Sequence, residues 1–481
     1  MRKIIASIAS ILSFSAVLIA QTLSPQVKAF VKVDAPTVAL THVRLIDGTG
    51  AAARDDQTVI ISKGKIESVS ASAAATVPNN ARVLDLSGYS VLPGLVGMHD
   101  HIFYPMGSAI FGEMAYSFPR LYLAGGVTTI RTTGSLEPYT DLELKKQIDH
   151  GDCPGPKMHV TGPYLEGPGS FAVQLHQLTS PDDAAKTVSY WLDEGVDNFK
   201  AYMFITPAEL SAAVSTAHKR GAKVTGHLCS VGFREAAAIG IDDLEHGLLV
   251  DTEFFPWKKP GECPDKLDYD FISKLDVQSG AVHEMIFDLV QHHVAITSTL
   301  PVFEMSVPGR PAIQQRVLDA LAADARSYFL NNKVRAGDAA GIRQRYQSES
   351  SPWPAAFKKE MEFERAFVQA GGLLLAGLDP TGMGGVIAGF GDQREVELLV
   401  EAGFTPLEAI HIATANGAQF LGDLDRVGTI APGKQADLIV VKGDPSRQIA
   451  DIEKVETVFK DGIGYDPAKL IESVRGMVGS R

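Results

Sequence analysis

The chain has 481 residues, enough for a large enzyme domain with a smaller domain attached. Its composition, 45% hydrophobic and 21% charged, is that of an ordinary globular protein. The net charge is −13 and no block rich in Lys and Arg occurs, which argues against a nucleic-acid partner and slightly favours a basic or neutral small substrate.

The N-terminus has the pattern of an export signal. Arg2 and Lys3 precede an uncharged apolar stretch over residues 4–20, and small-residue cleavage sites end at Ala20 and at Ala29. An uncleaved membrane anchor is the alternative, but such a stretch lies at the short limit for a membrane span. We therefore predict a signal peptide over residues 1–29, a periplasmic or secreted protein, and no stable membrane span after cleavage.

Short strands are predicted at both ends of the chain. Apolar β-type segments over residues 36–92 are separated by turns such as Asp47-Gly48 and Lys63-Gly64. Residues 436–441 and 455–462 have the same character. We predict that residues 36–92 and 425–470 meet in one small, discontinuous β-sandwich domain. The predicted strands of its first part are 38–40, 43–46, 58–61, 65–69 and 82–86.

The middle of the chain alternates strands with helices, which is typical of a parallel sheet. The predicted strands are residues 91–101, 127–131, 157–161, 198–203, 222–228, 241–246, 294–299 and 373–379. Helical segments such as 207–219 and 357–370 separate most of them. The predicted fold class is α/β, with a (β/α)₈ TIM-like barrel over residues 93–424 and an active site at the carboxyl ends of its strands. Residues 254–271, rich in Pro and charge, form a predicted insertion over the mouth.

Side chains of the metal-binding type fall at these strand ends. Residues i and i+2 of a strand point to one side, so His99 and His101 present two imidazoles side by side. Later strands add Lys200, His227, His246 and Asp379. Taken singly, a strand-end His is more often structural, Lys200 suits an ion pair, and Asp379 suits a turn cap. Six such residues in order at one mouth argue against independent structural roles.

With these residues in this order, the chain resembles the amidohydrolase superfamily. Three flanking segments agree: residues 405–410 (TPLEAI), 413–418 (ATANGA) and 428–438 (GTIAPGKQADL). The last is characteristic of the family's returning β domain. The resemblance covers nearly everything after residue 36 and is nearest to the imidazolonepropionase-like and prolidase-like branch.

The resemblance implies a binuclear metal centre. Lys200 would carry a carbamate derived from carbon dioxide, and this group would bridge two divalent metal ions. The more buried ion would be bound by His99, His101 and Asp379, and the second by His227 and His246. Zinc is the default ion for such ligands, and manganese, iron, cobalt or nickel stay open. A metal-bridging hydroxide would attack the substrate carbonyl, with Asp379 passing its proton to the leaving group.

The same resemblance implies dipeptidase-like hydrolysis of an amide or peptide bond in a dipeptide, an N-acyl amino acid or a related amide. The alternatives are a mononuclear deaminase, a hydrolase of cyclic amides or lactones, and an inactive barrel that acts as a binding protein. Such deaminases usually carry Glu three residues after the fifth-strand His, where this chain has Ser230, and they do not need Lys200. Both facts favour hydrolysis.

Four residues are candidates for substrate contact: Arg131, Tyr164, His176 and Tyr202. Ordinary packing is the alternative for the last three. Arg131 suits either a substrate carboxylate or a structural ion pair inside the barrel mouth. The expected partner is thus a small amide or short peptide, and a homo-oligomer stays open.

Three cysteines allow at most one internal disulfide. Cys229 lies two residues after His227 and is expected to be buried, so the favoured pair is Cys153 with Cys263. The sequence alone does not establish this pairing.

Overall fold

The computed structural model describes residues 23–107, 110–170, 174–334 and 350–480. Most of the predicted signal peptide lies outside these residues. Its last part includes a short helix, Pro25–Lys28, and the side chains of Leu23 and Val27 are buried in the main hydrophobic core. Within the described ranges, no helix is both long enough and apolar enough to cross a membrane.

Strands from the two ends of the chain and from its middle form separate sheets. In chain order the strands are β1 (Val31–Val33), β2 (Thr37–Leu45), β3 (Arg54–Ser62), β4 (Lys65–Ala71), β5 (Arg82–Asp85), β6 (Tyr89–Pro93), β7 (Leu95–Asp100), β8 (Phe103–Gly107), β9 (Ile110–Glu113), β10 (Val127–Thr132), β11 (Lys157–His159), β12 (Asn198–Ala201), β13 (Lys223–Gly226), β14 (Asp243–Glu245), β15 (Ala295–Ser298), β16 (Leu374–Ala376), β17 (Leu438–Lys442), β18 (Val455–Lys460) and β19 (Ile463–Tyr465).

The first and last strands share one mixed sheet, in the order β1-β19-β18-β17-β6-β2-β3-β4, with β5 paired to β2. Alternate side chains of these strands, including Val38, Val59 and Val440, form a core of their own. The predicted segments 38–40 and 43–46 are one strand, β2. The ladder shifts register between Leu40 and Val43, where His42 has a φ of 58°. This bulge interrupts the apolar alternation and explains the apparent break.

The middle strands are parallel, apart from β8 and β9, which form an antiparallel pair of their own. One sheet has the order β11-β10-β7, and another has β12-β13-β14-β15-β16. An isolated parallel bridge joins Thr161 to Asn198 between the two sheets. On the other side, the Asp379 amide donates to the His99 carbonyl at 3.0 Å. The prediction of alternating parallel strands and helices is confirmed, although most strands are shorter than predicted.

Helices cover the parallel strands, and Phe199, Leu244 and Leu289 belong to the core between the layers. The α-helices after the first one span Phe118–Ala124, Pro138–His150, Pro181–Glu194, Pro207–His218, Phe233–Ile239, Tyr269–Ile272, Gly280–Gln291, Leu300–Glu304, Gln315–Ala320, Ala323–Val334, Trp353–Gln369, Phe390–Ala402, Pro406–His411, Gly417–Leu421 and Pro467–Glu472. Several begin at a Ser or Thr N-cap followed by Pro, as at Thr206, where Glu209 completes a capping box.

The chain crosses from the mixed sheet to the parallel strands at Gly94. Its amide donates to the Asp437 carbonyl at 2.9 Å, and a Cβ at this position would come within 2.1 Å of the Thr128 hydroxyl. Asp437 belongs to the segment 428–438, so this segment contributes a backbone contact to the junction.

The disulfide differs from the predicted pair. Cys229 is bonded to Cys263, and Cys153 is free. The favoured pairing of Cys153 with Cys263 was therefore wrong. The reason is spatial: residues 254–271 fold back near the strand end that precedes His227, where Lys258 Nζ donates to the Ser230 carbonyl at 2.6 Å. Burial of Cys229 did not prevent pairing, because its partner Cys263 lies in residues 254–271, which we call the cover.

Candidate metal centre

The six predicted ligands lie at one edge of the parallel strands. His99 is the penultimate residue of β7 and His101 follows that strand, Lys200 lies in β12, and the others follow β13, β14 and β16. The carboxyl ends of parallel strands share an edge, so these side chains converge. His99 and Lys200 are 0% and 1% exposed, Asp379 is 7% exposed, and His227 is partly open.

Three of these side chains form a compact group. One ligand atom each from His99, His101 and Asp379 lie within 4.8 Å of one another. Asp379 Oδ1 is 3.4 Å from His101 Nε2, and its Oδ2 is 3.8 Å from His99 Nε2. We call these three residues the buried half of the centre.

The other three side chains adjoin this group, and we call them the lysine half. Lys200 Nζ is 2.9 Å from His99 Nε2, and His246 Nε2 is 3.8 Å from Asp379 Oδ2. The His227 and His246 rings are 4.5 Å apart between centroids. Asp379 therefore faces both halves.

Three of the imidazole rings have a polar contact at Nδ1, on the side away from the centre. Nδ1 of His101 lies 3.2 Å from the Gly134 carbonyl, and Nδ1 of His246 lies 2.6 Å from the Thr299 hydroxyl. Nδ1 of His99 lies 2.8 Å from Glu245 Oε2. A carbonyl or carboxylate holds a proton on Nδ1, so the Nε2 lone pairs of His99 and His101 point inward, as metal ligation requires.

Two of the predicted ligands adopt an unusual backbone conformation. His246 has a φ of 71° and Asp379 a φ of 49°, both in the left-handed region. Such conformations cost energy in residues other than Gly and concentrate at functional sites. At Asp379 the strain is offset locally, because the Thr381 hydroxyl donates to Oδ1 at 2.8 Å.

The electrostatics favour neutral imidazoles. Burial lowers the pKa of His101 to about 4 and that of His227 to about 3, and it also lowers the pKa values of His99 and His246. Burial opposes ionisation of Asp379, but the combined effect of His99, His101 and His246 outweighs it and holds the pKa of the carboxyl well below its usual range. Neutral imidazoles beside an ionised carboxylate are what a metal ion binds.

The pKa of Lys200 is also shifted. Burial lowers the pKa of its ammonium to about 8, against the opposing effect of Glu245 and Asp379. A substantial fraction of this amine is therefore neutral near physiological pH.

The residues fit a divalent ion. His246 Nε2 is buried and has no hydrogen-bond partner among the described residues, although it points at the ionised Asp379. A buried polar atom without a partner is costly, and a cation between these groups would satisfy it. Imidazole and carboxylate donors suit zinc and related ions.

The predicted substrate contacts divide into two groups. Tyr164 and Tyr202 line the centre: their ring centroids are 6.4 Å from His101 and 4.9 Å from His227, respectively. His176 is half-exposed and contacts Asp183 at 3.2 Å. Arg131 is fully buried beneath the ligands, so it takes the structural ion pair and is not open to a substrate.

Sequence reasoning missed Glu245, Asp243 and Thr299 as supporting residues. Glu245 Oε1 accepts from Arg131 at 2.9 Å, and Asp243 accepts from the same nitrogen at 3.1 Å. Asp243 and Glu245 lie two residues apart on one strand, just before His246, and residues i and i+2 of a strand share a face. This spacing could have indicated that both side chains point into the interior below the site.

Comparisons with known proteins agree with this geometry. The model of the amidohydrolase family matches residues 363–463, which include Asp379. A D-hydantoinase of Streptomyces coelicolor is 23% identical over 426 residues, covering 79% of this chain and 81% of the hydantoinase. A solved structure assigned as a prolidase, from Bifidobacterium longum, is 26% identical with a TM-score of 0.66, covering 91% and 98% of the two chains.

A Xaa-Pro dipeptidase structure with methionine in its active site shares the fold at 21% identity and a TM-score of 0.65, covering 89% of this chain and all (100%) of the other. At this identity the likeness shows the fold alone. The chain is similar to the amidohydrolase superfamily, and the family's model matches its residues 363–463.

Proposed function

We propose that this protein is a metal-dependent hydrolase that cleaves an amide or peptide bond. The observation that carries the proposal is the convergence of His99, His101 and Asp379, one ligand atom each within 4.8 Å, next to a buried lysine. Similarity to the superfamily supports this class of reaction, and the convergence of these side chains supports their assignment as its site.

The proposed architecture is a closed (β/α)₈ barrel over residues 93–424, with a small β domain from residues 36–92 and 425–470. Two contacts support closure. The Thr161–Asn198 bridge joins the two parallel sheets on one side, and the bond from the Asp379 amide to the His99 carbonyl joins them on the other. Such a barrel brings its active-site residues to the carboxyl ends of the strands.

The proposed centre is binuclear. His99, His101 and Asp379 would hold the more buried ion, and His227 and His246 the second, with a carbamate on Lys200 between them. Only a neutral amine reacts with carbon dioxide, so the lowered pKa of Lys200 supports this modification. When bound, two divalent ions polarise a carbonyl and lower the pKa of a water molecule. Zinc is the proposed metal, since imidazole and carboxylate ligands suit it.

Asp379 has the proposed role of moving a proton to the leaving group. It is ionised and faces both halves of the centre, at 3.4 Å from His101 and 3.8 Å from His246. A carboxylate in this position can accept a proton from the attacking water and deliver it to the amine. Tyr164 and Tyr202 provide apolar walls that exclude water on one side.

The proposed substrates are dipeptides and N-acyl amino acids, as the Xaa-Pro dipeptidase among the structural relatives suggests. A second candidate is the opening of a cyclic amide, since the similar Streptomyces coelicolor protein is a D-hydantoinase. A deaminase is disfavoured. Ser230 is buried and its hydroxyl donates to the Ile205 carbonyl at 2.5 Å, so it supplies no acid to the centre.

We also propose that the protein is exported. A disulfide persists in oxidising compartments, and Cys229–Cys263 is consistent with one. The burial of Leu23 and Val27 favours cleavage after Ala20 over cleavage after Ala29. Sequencing the N-terminus of the secreted form tests this point: a mature chain that begins at residue 30 would contradict it.

The test of function is hydrolysis of Xaa-Pro dipeptides, N-acyl amino acids and hydantoins before and after chelation, with zinc added back. We expect turnover of at least one of these amide classes, its loss on chelation and its return with zinc. His246→Ala should lose activity, and His283→Ala, on an exposed helix face, should keep it. Turnover that survives complete metal removal would contradict the proposal, as would the absence of turnover in protein with a full metal complement.

A further inference from the structure

A buried ion-pair network lies directly beneath the centre. Arg131 is fully buried, and its Nε donates to the Met98 carbonyl at 2.8 Å. Its Nη2 donates to Asp243 Oδ2 at 3.1 Å and to Glu245 Oε1 at 2.9 Å. These side chains come from β10 and β14, so the network crosses the space enclosed by the parallel strands.

The network ends at a predicted metal ligand. While one oxygen of Glu245 accepts from Arg131, the other lies 2.8 Å from Nδ1 of His99. Both side chains are 0% exposed, so water does not compete for this contact. The resulting chain of contacts runs from Arg131 through Glu245 to His99, and His99 Nε2 faces Lys200 and Asp379.

His99 differs in this respect from the other ligands. His101 has a neutral carbonyl behind its ring and His246 has a hydroxyl, whereas His99 has a buried carboxylate. A carboxylate fixes the proton on Nδ1 and increases electron density on the opposite nitrogen, which strengthens that nitrogen as a ligand. Arg131 compensates the carboxylate charge, which would otherwise be costly to bury.

We propose that Glu245 and Arg131 are positioning residues, which orient His99 and tighten the binding of the more buried metal ion. This inference rests on the proposed metal centre. It gives Arg131 a role that does not involve substrate, and it explains why an arginine is held where no ligand can reach it.

Asp243 provides a matched control. It accepts from the same arginine nitrogen as Glu245, is equally buried, and also accepts from the Thr297 hydroxyl at 2.7 Å. Of its hydrogen bonds, none reaches a predicted metal ligand among the described residues. Glu245→Gln and Asp243→Asn therefore each remove one buried carboxyl group that accepts from Arg131, but only the first removes the carboxylate behind His99.

The experiment titrates cobalt(II) and zinc into metal-free wild type and both variants, using visible absorption for cobalt and chelator competition for zinc. The thermal midpoint of each metal-free form is measured alongside. We expect Glu245→Gln to weaken binding of the tighter ion by about 10- to 100-fold and to alter the cobalt spectrum. Asp243→Asn should bind within about threefold of wild type, even if it lowers the thermal midpoint equally.

Equal affinities in wild type and Glu245→Gln would overturn the inference, and so would an equal loss in both variants, because that would indicate a purely structural role. If Glu245→Gln does not fold, Glu245→Asp keeps the charge beside Arg131 and withdraws it from His99 by one methylene. Glu245→Asp should then show the weakened affinity, and wild-type affinity there would also overturn the inference. A wild type that binds neither ion would instead overturn the proposed function.

Discussion

The two halves of the centre differ in how ready they are to hold a cation. In the buried half, the ligand atoms of His99, His101 and Asp379 already lie within 4.8 Å of one another. In the lysine half, His227 is partly open to solvent, and the proposed carbamate requires the Lys200 amine to lose a proton and react with carbon dioxide. On this proposal, folding alone prepares the first half, whereas the second needs a chemical step after folding.

Asp379→Asn should have the largest effect on activity, because this carboxylate faces both halves of the centre. We expect kcat/KM to fall by at least about 10²- to 10⁴-fold, the range for loss of a general acid–base group. Metal content should fall as well. Steady-state kinetics and elemental analysis check both effects. A variant that keeps kcat/KM within about threefold would show that Asp379 neither ligates nor moves a proton.

A substitution at Lys200 should affect metal binding in the lysine half but not in the buried half. Lys200→Ala removes the proposed carbamate, so we expect a loss of at least about 10²-fold in activity and of the second ion, with the buried half still occupied. Added acetate or propionate should restore part of the activity by supplying a carboxylate. The control is Lys259→Ala, at an exposed position in the cover. Two ions in active Lys200→Ala protein would contradict the carbamate.

The pH dependence of reactivation by zinc is a second test of the proposed carbamate on Lys200. The pKa of Lys200 is about 8, so below pH 8 the neutral amine decreases tenfold with each pH unit. At a fixed concentration of dissolved carbon dioxide, the rate of zinc-dependent reactivation of metal-free protein should rise about tenfold from pH 6 to pH 7 and level off above pH 8. A rate that still rises at pH 10 would indicate an ordinary exposed amine.

The smallest expected effect concerns the cover over the lysine half. Cys229 and Cys263 are separated by 34 positions, so Cys263→Ser should lower the free energy of unfolding by about 3–4 kcal/mol on the loop-closure model. The disulfide holds residues 254–271 near His227, so its loss should loosen this segment beside the site. We therefore expect KM to rise more than kcat falls. Denaturant unfolding and kinetics check this. Cys153→Ser, at the free thiol, should change neither property, and equal effects of the two variants would contradict the assignment.

Local pattern accounts for what the sequence could predict. Parallel strands interrupted by helices were recognisable from apolar runs, and the alternation of side chains placed His99 and His101 on one side. The same strands carried Lys200, His227 and His246 to a common edge, because successive parallel strands end there. These features depend on a few neighbouring residues each.

Partners across the interior were not predictable in this way. Arg131 and Glu245 are 114 positions apart in the sequence and lie on strands that are not neighbours. Their contact beneath His99 depends on how these strands are offset along their axes, which the sequence does not reveal. The cysteine pairing failed for a related reason, since it depended on how residues 254–271 fold back over the strand ends. The bulge at His42 likewise follows from a local register shift that apolar alternation cannot reveal.

The most direct test of the account is the metal content of the mature protein, measured by elemental analysis after purification without chelators or a His tag. Wild type should contain about two divalent ions per chain, and Lys200→Ala about one. About one ion in wild type, unchanged in Lys200→Ala, would contradict the binuclear centre and would leave Lys200 as an ordinary buried amine.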